Sequence, residues 1–236
     1  MDKNYQIIVF DFDYTLFDYE ATERIAVKAA FDVLGLPYEE RYHAMFKRIN
    51  RKIWADSEID RRIDKNQLRI ERFRQLFEQL NFENPQILAE KASRAYITHS
   101  EYGVLIDGVE KTILELQNRY TLAIASSGLS SPRLAKLQNS PIRNSFSHVM
   151  FREVFDENQV KPHPGFFDRI AANYNVPRSE ILYVGDSFWE DIEGAKNAGF
   201  STVFFNYFHI PDREIDFSKA DYIIDEFSEL LTTVKL

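Results

Sequence analysis

Six short apolar runs constrain this chain more than any other feature. They are Ile7-Ile8-Val9-Phe10, Leu122-Ala123-Ile124-Ala125, His148-Val149-Met150-Phe151, Ile181-Leu182-Tyr183-Val184, Thr202-Val203-Phe204-Phe205 and Tyr222-Ile223-Ile224. The runs are continuous rather than alternating, so both faces of each strand are expected to be buried, as in a parallel sheet. Helical patterns lie between them. Ser131-Pro132 reads as an N-cap followed by proline, with Leu134 and Leu137 inward. Pro164 opens a helix that turns Phe166, Phe167 and Ile170 inward, and Asp191 to Ala198 reads as a helix stopped by Gly199. Strand and helix in repetition predict an α/β fold with a doubly wound parallel sheet.

A second texture interrupts the first. Between residue 17 and about residue 101 there are no strand-like runs, only apolar residues at helical spacing. Val27, Ala30, Phe31 and Leu34 make one stripe, ended by Gly35. Tyr42, Met45, Phe46, Ile49 and Ile53 make a second, and Phe73, Leu76, Phe77 and Leu80 a third. Asn84-Pro85 starts a fourth, with Leu88, Ala92, Ala95 and Tyr96 inward. The expected organisation is a Rossmann-like core from residues 1–16 and 102–236, with an all-helical insert, residues 17–101, after the first strand.

Composition removes several classes. The chain has 236 residues, 44% of them apolar, enough for a full core. It has no cysteine, which excludes disulfides, thiolate metal sites and cysteine nucleophiles and fits a cytoplasmic location. No export signal is expected, because Met1-Asp2-Lys3-Asn4 runs straight into the first strand. No apolar run approaches the ~20 residues of a membrane span. A net charge of −8 argues against nucleic-acid polymers as partners. Basic residues nonetheless gather between residues 41 and 74, Arg61 and Arg62 among them. They read as solvated helix faces or as a rim that attracts an anionic substrate.

In a parallel sheet, ligands sit at the carboxyl ends of the strands. The first strand ends in Asp11-Phe12-Asp13-Tyr14-Thr15, and the second in Ser126-Ser127-Gly128. Lys161-Pro162 follows the third, and Gly185-Asp186-Ser187 ends the fourth, with Asp191 a turn further on. Aspartates crowded into a cleft repel one another, and a divalent cation relieves that repulsion. All-oxygen ligands indicate a hard ion, and magnesium suits a site with few carboxylates and a phosphate. A carboxylate can attack phosphorus to give an aspartyl-phosphate, and a second carboxylate two residues along can protonate the leaving alcohol and then activate water.

These segments resemble the four motifs of the haloacid dehalogenase-like hydrolase superfamily. The first is Asp11-Phe12-Asp13-Tyr14-Thr15-Leu16, the second ends its strand at Ser126, the third is Lys161, and the fourth runs from Gly185-Asp186 to Glu190-Asp191. The resemblance implies that Asp11 is the nucleophile and a metal ligand. It implies that Asp13 is the general acid and base and ligates the metal through its backbone carbonyl. Ser126 and the backbone at Ser127 would bind the phosphoryl oxygens, and Lys161 would pair with those oxygens and with Asp11. Asp186 would ligate magnesium, Asp191 would orient waters or the lysine, and Thr15 would support the turn. Ser127 stands where relatives carry asparagine. His163 reads as a surface loop residue, and His43, His99, His148 and His209 as structural or solvated.

Within the superfamily the chain most resembles the bacterial house-cleaning 5'-nucleotidases with a helical cap. The likeness extends to Asp18–Ala30 and to Ile49-Asn50-Arg51-Lys52-Ile53-Trp54. Asn50 and Trp54 share a helix face and either hydrogen-bond and stack a base or pack within the helices. The implied activity is magnesium-dependent hydrolysis of a small phosphomonoester, by a monomer or homodimer. Three alternatives stand beside it: a sugar-phosphate mutase, a haloacid dehalogenase and a non-catalytic phosphate-binding module. Asp13 speaks against a dehalogenase, which needs no acid, and Tyr14 stands where mutases carry glycine.

Overall fold

The computed structural model describes residues 4–59, 64–156, 159–211 and 214–233. The chain divides into two compact units, Met1–Tyr19 with Gly103–Leu236, and Glu20–Tyr102. Each has its own core.

In the first unit the apolar runs form the strands of one parallel sheet. In chain order these are β1 (Ile7–Phe10), β4 (Thr121–Ala125), β5 (His148–Met150), β6 (Ile181–Gly185), β7 (Ser201–Phe205) and β8 (Tyr222–Ile224). The sheet order is β5-β4-β1-β6-β7-β8, and every pairing is parallel. Both faces are covered, as the unbroken apolar runs require. On one face Ile8, Phe10, Leu122, Ile124, Leu182 and Val184 pack with α5 (Val109–Leu116) and with Leu137 of α6 (Ser130–Gln138). On the other, Ile7, Val9, Ala123, Ala125, Ile181 and Tyr183 meet Phe166, Phe167 and Ile170 of α7 (Pro164–Ala171) and Ala195 of α8 (Gly194–Asn197).

Three local readings change. A short antiparallel ribbon, β2 (Phe17–Asp18) with β3 (Val104–Leu105), lies at the two borders of the helical insert, where no strand was expected. Helix α6 starts at Ser130 with Leu129 as its N-cap, not at Ser131, and Leu134 is exposed rather than inward. The segment after Ser187 is a π-helical turn, Phe188–Glu193, that continues into α8. Gly199 then turns the chain at φ +85°, a conformation that only glycine adopts freely.

The second unit is helical: α1 (Tyr19–Val33, which begins one residue earlier in the first unit), α2 (Glu40–Ile59), α3 (Lys65–Gln79) and α4 (Pro85–Ser100). Phe31, Phe46, Phe73 and Phe77 are fully buried between the helices, with edge or tilted contacts between rings. The basic stretch is more than a solvated face. Arg72 is buried, its guanidinium 4.2 Å from the Tyr96 ring centre and 5.0 Å from that of Phe46. Arg74 pairs with Glu71 and Glu78, and Lys47 with Glu20. Arg61 and Arg62 lie outside the described residues. Among the described residues, no helix is long and apolar enough to cross a membrane.

Deleting the Phe77 ring opens a cavity next to Phe31, Phe73 and Phe82. Phe77→Ala should cost about 3–5 kcal/mol of helical-unit stability, whereas Ile87→Ala, at an exposed position, should stay within about 0.5 kcal/mol. Urea unfolding followed by helix ellipticity checks this. Equal losses would contradict the assigned core.

Candidate active site

The chain adds strands to one side of β1 and then to the other, so the strand order reverses at β1, flanked by β4 and β6. Open α/β sheets bind their ligands at such a point, outside the carboxyl ends of the strands. Register brings their ends level: Phe10 lies opposite both Ile124 and Val184. Asp11, Ser126 and Asp186 therefore follow their strands at about the same height. After Asp11 the chain turns sharply. Tyr14 takes φ +62°, with its N–H donating to the Phe17 carbonyl at 2.7 Å. The ring packs against Tyr207 and Phe208, which holds this left-handed residue in place.

Lys161 is buried between two carboxylates. Its Nζ lies 2.8 Å from Asp11 Oδ1 and 2.6 Å from Asp191 Oδ1. Burial pushes the Lys161 ammonium down, but the charges of Asp11 and Asp191 outweigh it and raise it well above its ordinary value. Asp191 is fully buried and also accepts the Ser187 N–H at 3.0 Å. It is more than a helix acid in solvent. Gly185 makes room for it, since a Cβ there would stand 2.4 Å from the Asp191 carboxyl. Burial, then the neighbouring carboxylates, raise both Asp186 and Asp191. Thr15 supports Asp186, donating to Asp186 Oδ1 at 3.1 Å. Ser127 Oγ accepts the Lys161 backbone N–H at 3.1 Å, so its hydroxyl ties the second motif to the third.

The Asp13 side chain is not part of this cluster of carboxylates. Arg133 Nη2 donates to its Oδ2, and Lys136 Nζ donates to its Oδ1 at 3.3 Å. Burial acts to raise the Asp13 carboxyl, but the two cations outweigh it and hold it below its ordinary value. Neither cation was singled out from the sequence. They stand at i and i+3 on α6, which directly follows the Ser126-Ser127-Gly128 loop, and that spacing was the available signal.

The donor set fits a hard divalent cation such as magnesium. Asp11, Asp186 and Asp191 each offer a carboxylate oxygen, and these atoms all lie within 4.8 Å of one another. Asp11 Oδ1 is buried and makes no hydrogen bond, although Lys161 is near enough to form an ion pair. The grouping brings in Asp191 beside the expected Asp11 and Asp186, while the Asp13 side chain stays with Arg133 and Lys136.

Asn50 and Trp54, in the helical unit, hydrogen-bond to each other. Asn50 Oδ1 accepts from Trp54 Nε1 at 3.0 Å and from Arg72 Nη1 at 3.1 Å, and Asn50 Nδ2 donates to Glu23 at 3.4 Å. Glu23 is buried with His43, 3.2 Å away. His163 is an exposed helix cap whose Nδ1 accepts the Gly165 N–H.

An all-parallel doubly wound sheet with aspartates and a buried lysine gathered past its strand ends is a Rossmann-like architecture with an acidic site. The sequence profile of haloacid dehalogenase-like hydrolases matches residues 8–205, and the chain belongs to that family. It is 28% identical to the glyceraldehyde 3-phosphate phosphatase of Pyrococcus furiosus, over 99% of this chain and 94% of the relative. It is 26% identical to the pyrimidine 5'-nucleotidase PynA of Streptococcus pneumoniae, over 96% and 94%. Its fold matches the magnesium-bound crystal structure of the HAD-hydrolase YfnB of Bacillus subtilis, with a TM-score of 0.75, 26% identity and coverage of 99% and 100%.

The raised carboxyls of Asp186 and Asp191 make the metal-free protein sensitive to pH. A carboxyl raised in the folded state binds its proton more tightly there, so its stabilising effect is complete below the ordinary value of ~3.9 and is lost as pH rises through the raised one. In EDTA, stability should fall with rising pH across that window, and Asp186→Asn should flatten the fall. Magnesium should reverse the order and favour the wild type at pH 8. Thermal melts of both proteins at several pH values check this, and parallel curves in EDTA would contradict it.

Proposed function

We propose that the chain is a magnesium-dependent phosphomonoester hydrolase that carries the phosphoryl group on Asp11. Its substrates are nucleoside 5'-monophosphates or similarly small phosphorylated metabolites. The observation that carries this reading is the Asp11 carboxylate held 2.8 Å from buried Lys161, with a second carboxylate, Asp13, two residues along. Relatives named as a phosphatase and a 5'-nucleotidase, each aligned over nearly the whole chain, support it.

In this mechanism Asp11 attacks phosphorus and the bond from phosphorus to the ester oxygen breaks. Asp13 gives that oxygen a proton. Water then attacks the phosphorus of the aspartyl-phosphate, Asp13 takes a proton from it, and phosphate leaves with Asp11 restored. The resting pairing with Arg133 and Lys136 holds Asp13 ionised, so it acts as the acid of the first step only after taking up a proton as substrate binds, and it leaves that step ionised, the form suited to the second. Lys161 offsets charge on the transferring oxygens, and Ser126 and the backbone at Ser127 bind them. Bound magnesium, held by Asp11 and Asp186 with Asp191 beside them, supplies further positive charge to the phosphoryl group. The absence of a cysteine is compatible with a cytoplasmic enzyme.

We assign recognition of the organic group to the helical unit, acting as a cap. Because the Asn50 amide is engaged by Trp54, Arg72 and Glu23, Asn50 serves to hold Trp54, and the half-buried indole, which also packs on the helical core, is the group assigned to contact a base.

With p-nitrophenyl phosphate the protein should release phosphate in magnesium and stop in EDTA, and Asp11→Asn should fold normally yet lose turnover. Full activity in EDTA, or a working Asp11→Asn, would refute the mechanism. Trp54→Ala should raise KM for a nucleoside monophosphate by about five- to 150-fold more than for p-nitrophenyl phosphate, the value of one stacked base. Equal losses for the two substrates would make Trp54 a packing residue.

A further inference from the structure

Arg133 stands at this site without a role in the mechanism above. Its guanidinium lies directly on Gly128: a Cβ there would stand 1.7 Å from Cζ, 1.8 Å from Nη1 and 2.1 Å from Nη2. Nη2 donates to Asp13 Oδ2, and Nη1 donates to the Leu129 carbonyl at 3.3 Å. Nε is buried and makes no hydrogen bond. The group therefore sits between Asp13 and the Ser126-Ser127-Gly128 loop with donors to spare, since a guanidinium carries five N–H bonds. Asp13 keeps one cation if the guanidinium leaves, because Lys136 also holds that carboxylate and the Lys136 side chain is only 6% exposed. A planar fork of donors beside a loop assigned to phosphoryl oxygens matches the geometry of an oxyanion.

We propose that Arg133 binds the substrate by exchanging partners. Without substrate its guanidinium holds Asp13. When a phosphate monoester enters, the guanidinium turns to the phosphoryl oxygens and leaves Asp13 with Lys136. Gly128 is glycine because any side chain would occupy the space through which this guanidinium reaches both partners. No covalent bond changes in the exchange. The identity of the ligand rests on the phosphatase reading.

Inorganic phosphate is the probe, with binding measured by calorimetry in magnesium buffer. Loss of a charged hydrogen-bonding partner should weaken binding about ten- to a hundredfold in Arg133→Gln, and Arg133→Lys should fall between that variant and the wild type. Asp13→Ala should tighten binding, because the carboxylate no longer competes for the guanidinium. That gain should shrink sharply when Asp13→Ala is combined with Arg133→Gln, a coupling that a merely structural arginine would not produce. With p-nitrophenyl phosphate, Arg133→Gln should raise KM more than it lowers kcat. If Arg133→Gln does not fold, Arg133→Lys with and without Asp13→Ala carries the same cycle. Undiminished phosphate binding in the Arg133 variants, an Asp13→Ala gain that is independent of Arg133, or no phosphate binding by the wild type would each overturn the proposal. Binding that depends on Arg133 in a protein that hydrolyses no phosphate ester would instead sink the phosphatase reading and leave the anion site standing.

Discussion

Buried like charge at the end of a parallel sheet is the constraint on which this site depends. Strands that run in the same direction bring their carboxyl ends together, and here β1, β4 and β6 deliver Asp11, Ser126 and Asp186 side by side. Asp191 reaches the same place from the turn after β6. Taking three carboxylates out of water is costly unless something positive enters with them. The Lys161 ammonium meets two of them, Asp11 and Asp191. Asp186 is left with the Thr15 hydroxyl and a raised proton affinity. The surroundings adapt to that balance. Gly185 leaves space for the Asp191 carboxyl, and Ser127 ties down the lysine loop.

The parts of this fold that could be read from sequence were those with a strong periodic signal. Continuous runs such as Ile181–Val184 can be satisfied only by burial on both faces, and Ile181 and Tyr183 do face one core while Leu182 and Val184 face the other. The four helices of the second unit were equally legible, because a stripe such as Phe73, Leu76 and Phe77 has one solution. The acidic and lysine residues were legible for a different reason. Asp11 and Asp186 stand just past strand ends, where a parallel sheet places its chemistry, and Lys161 lies in the loop between β5 and α7.

What escaped the sequence had no period to announce it. The β2–β3 ribbon pairs two residues with two, too few for alternation to register. Lys136 carries no periodic signal in the sequence, yet it is buried, because α6 turns that side toward Asp13 rather than toward solvent. Asn50 and Trp54 shared a face as expected and bond to each other along α2, but the link from Asn50 to Arg72 is set by where α3 lies against α2. Arg72 itself, counted from sequence among surface charges, is buried among three aromatic rings. In each case long-range packing decided the partner.

The central claim is that phosphate passes through Asp11. A phosphoryl group on a carboxylate makes an activated acyl derivative, which borohydride reduces to an alcohol, so a phosphorylated aspartate is converted to homoserine. The enzyme should be quenched during turnover of p-nitrophenyl phosphate, reduced with borohydride, digested and mapped by mass spectrometry. The account predicts homoserine at position 11, dependent on substrate and absent in Asp11→Asn. Turnover with no reduction product, or with the product at any other aspartate, would contradict it.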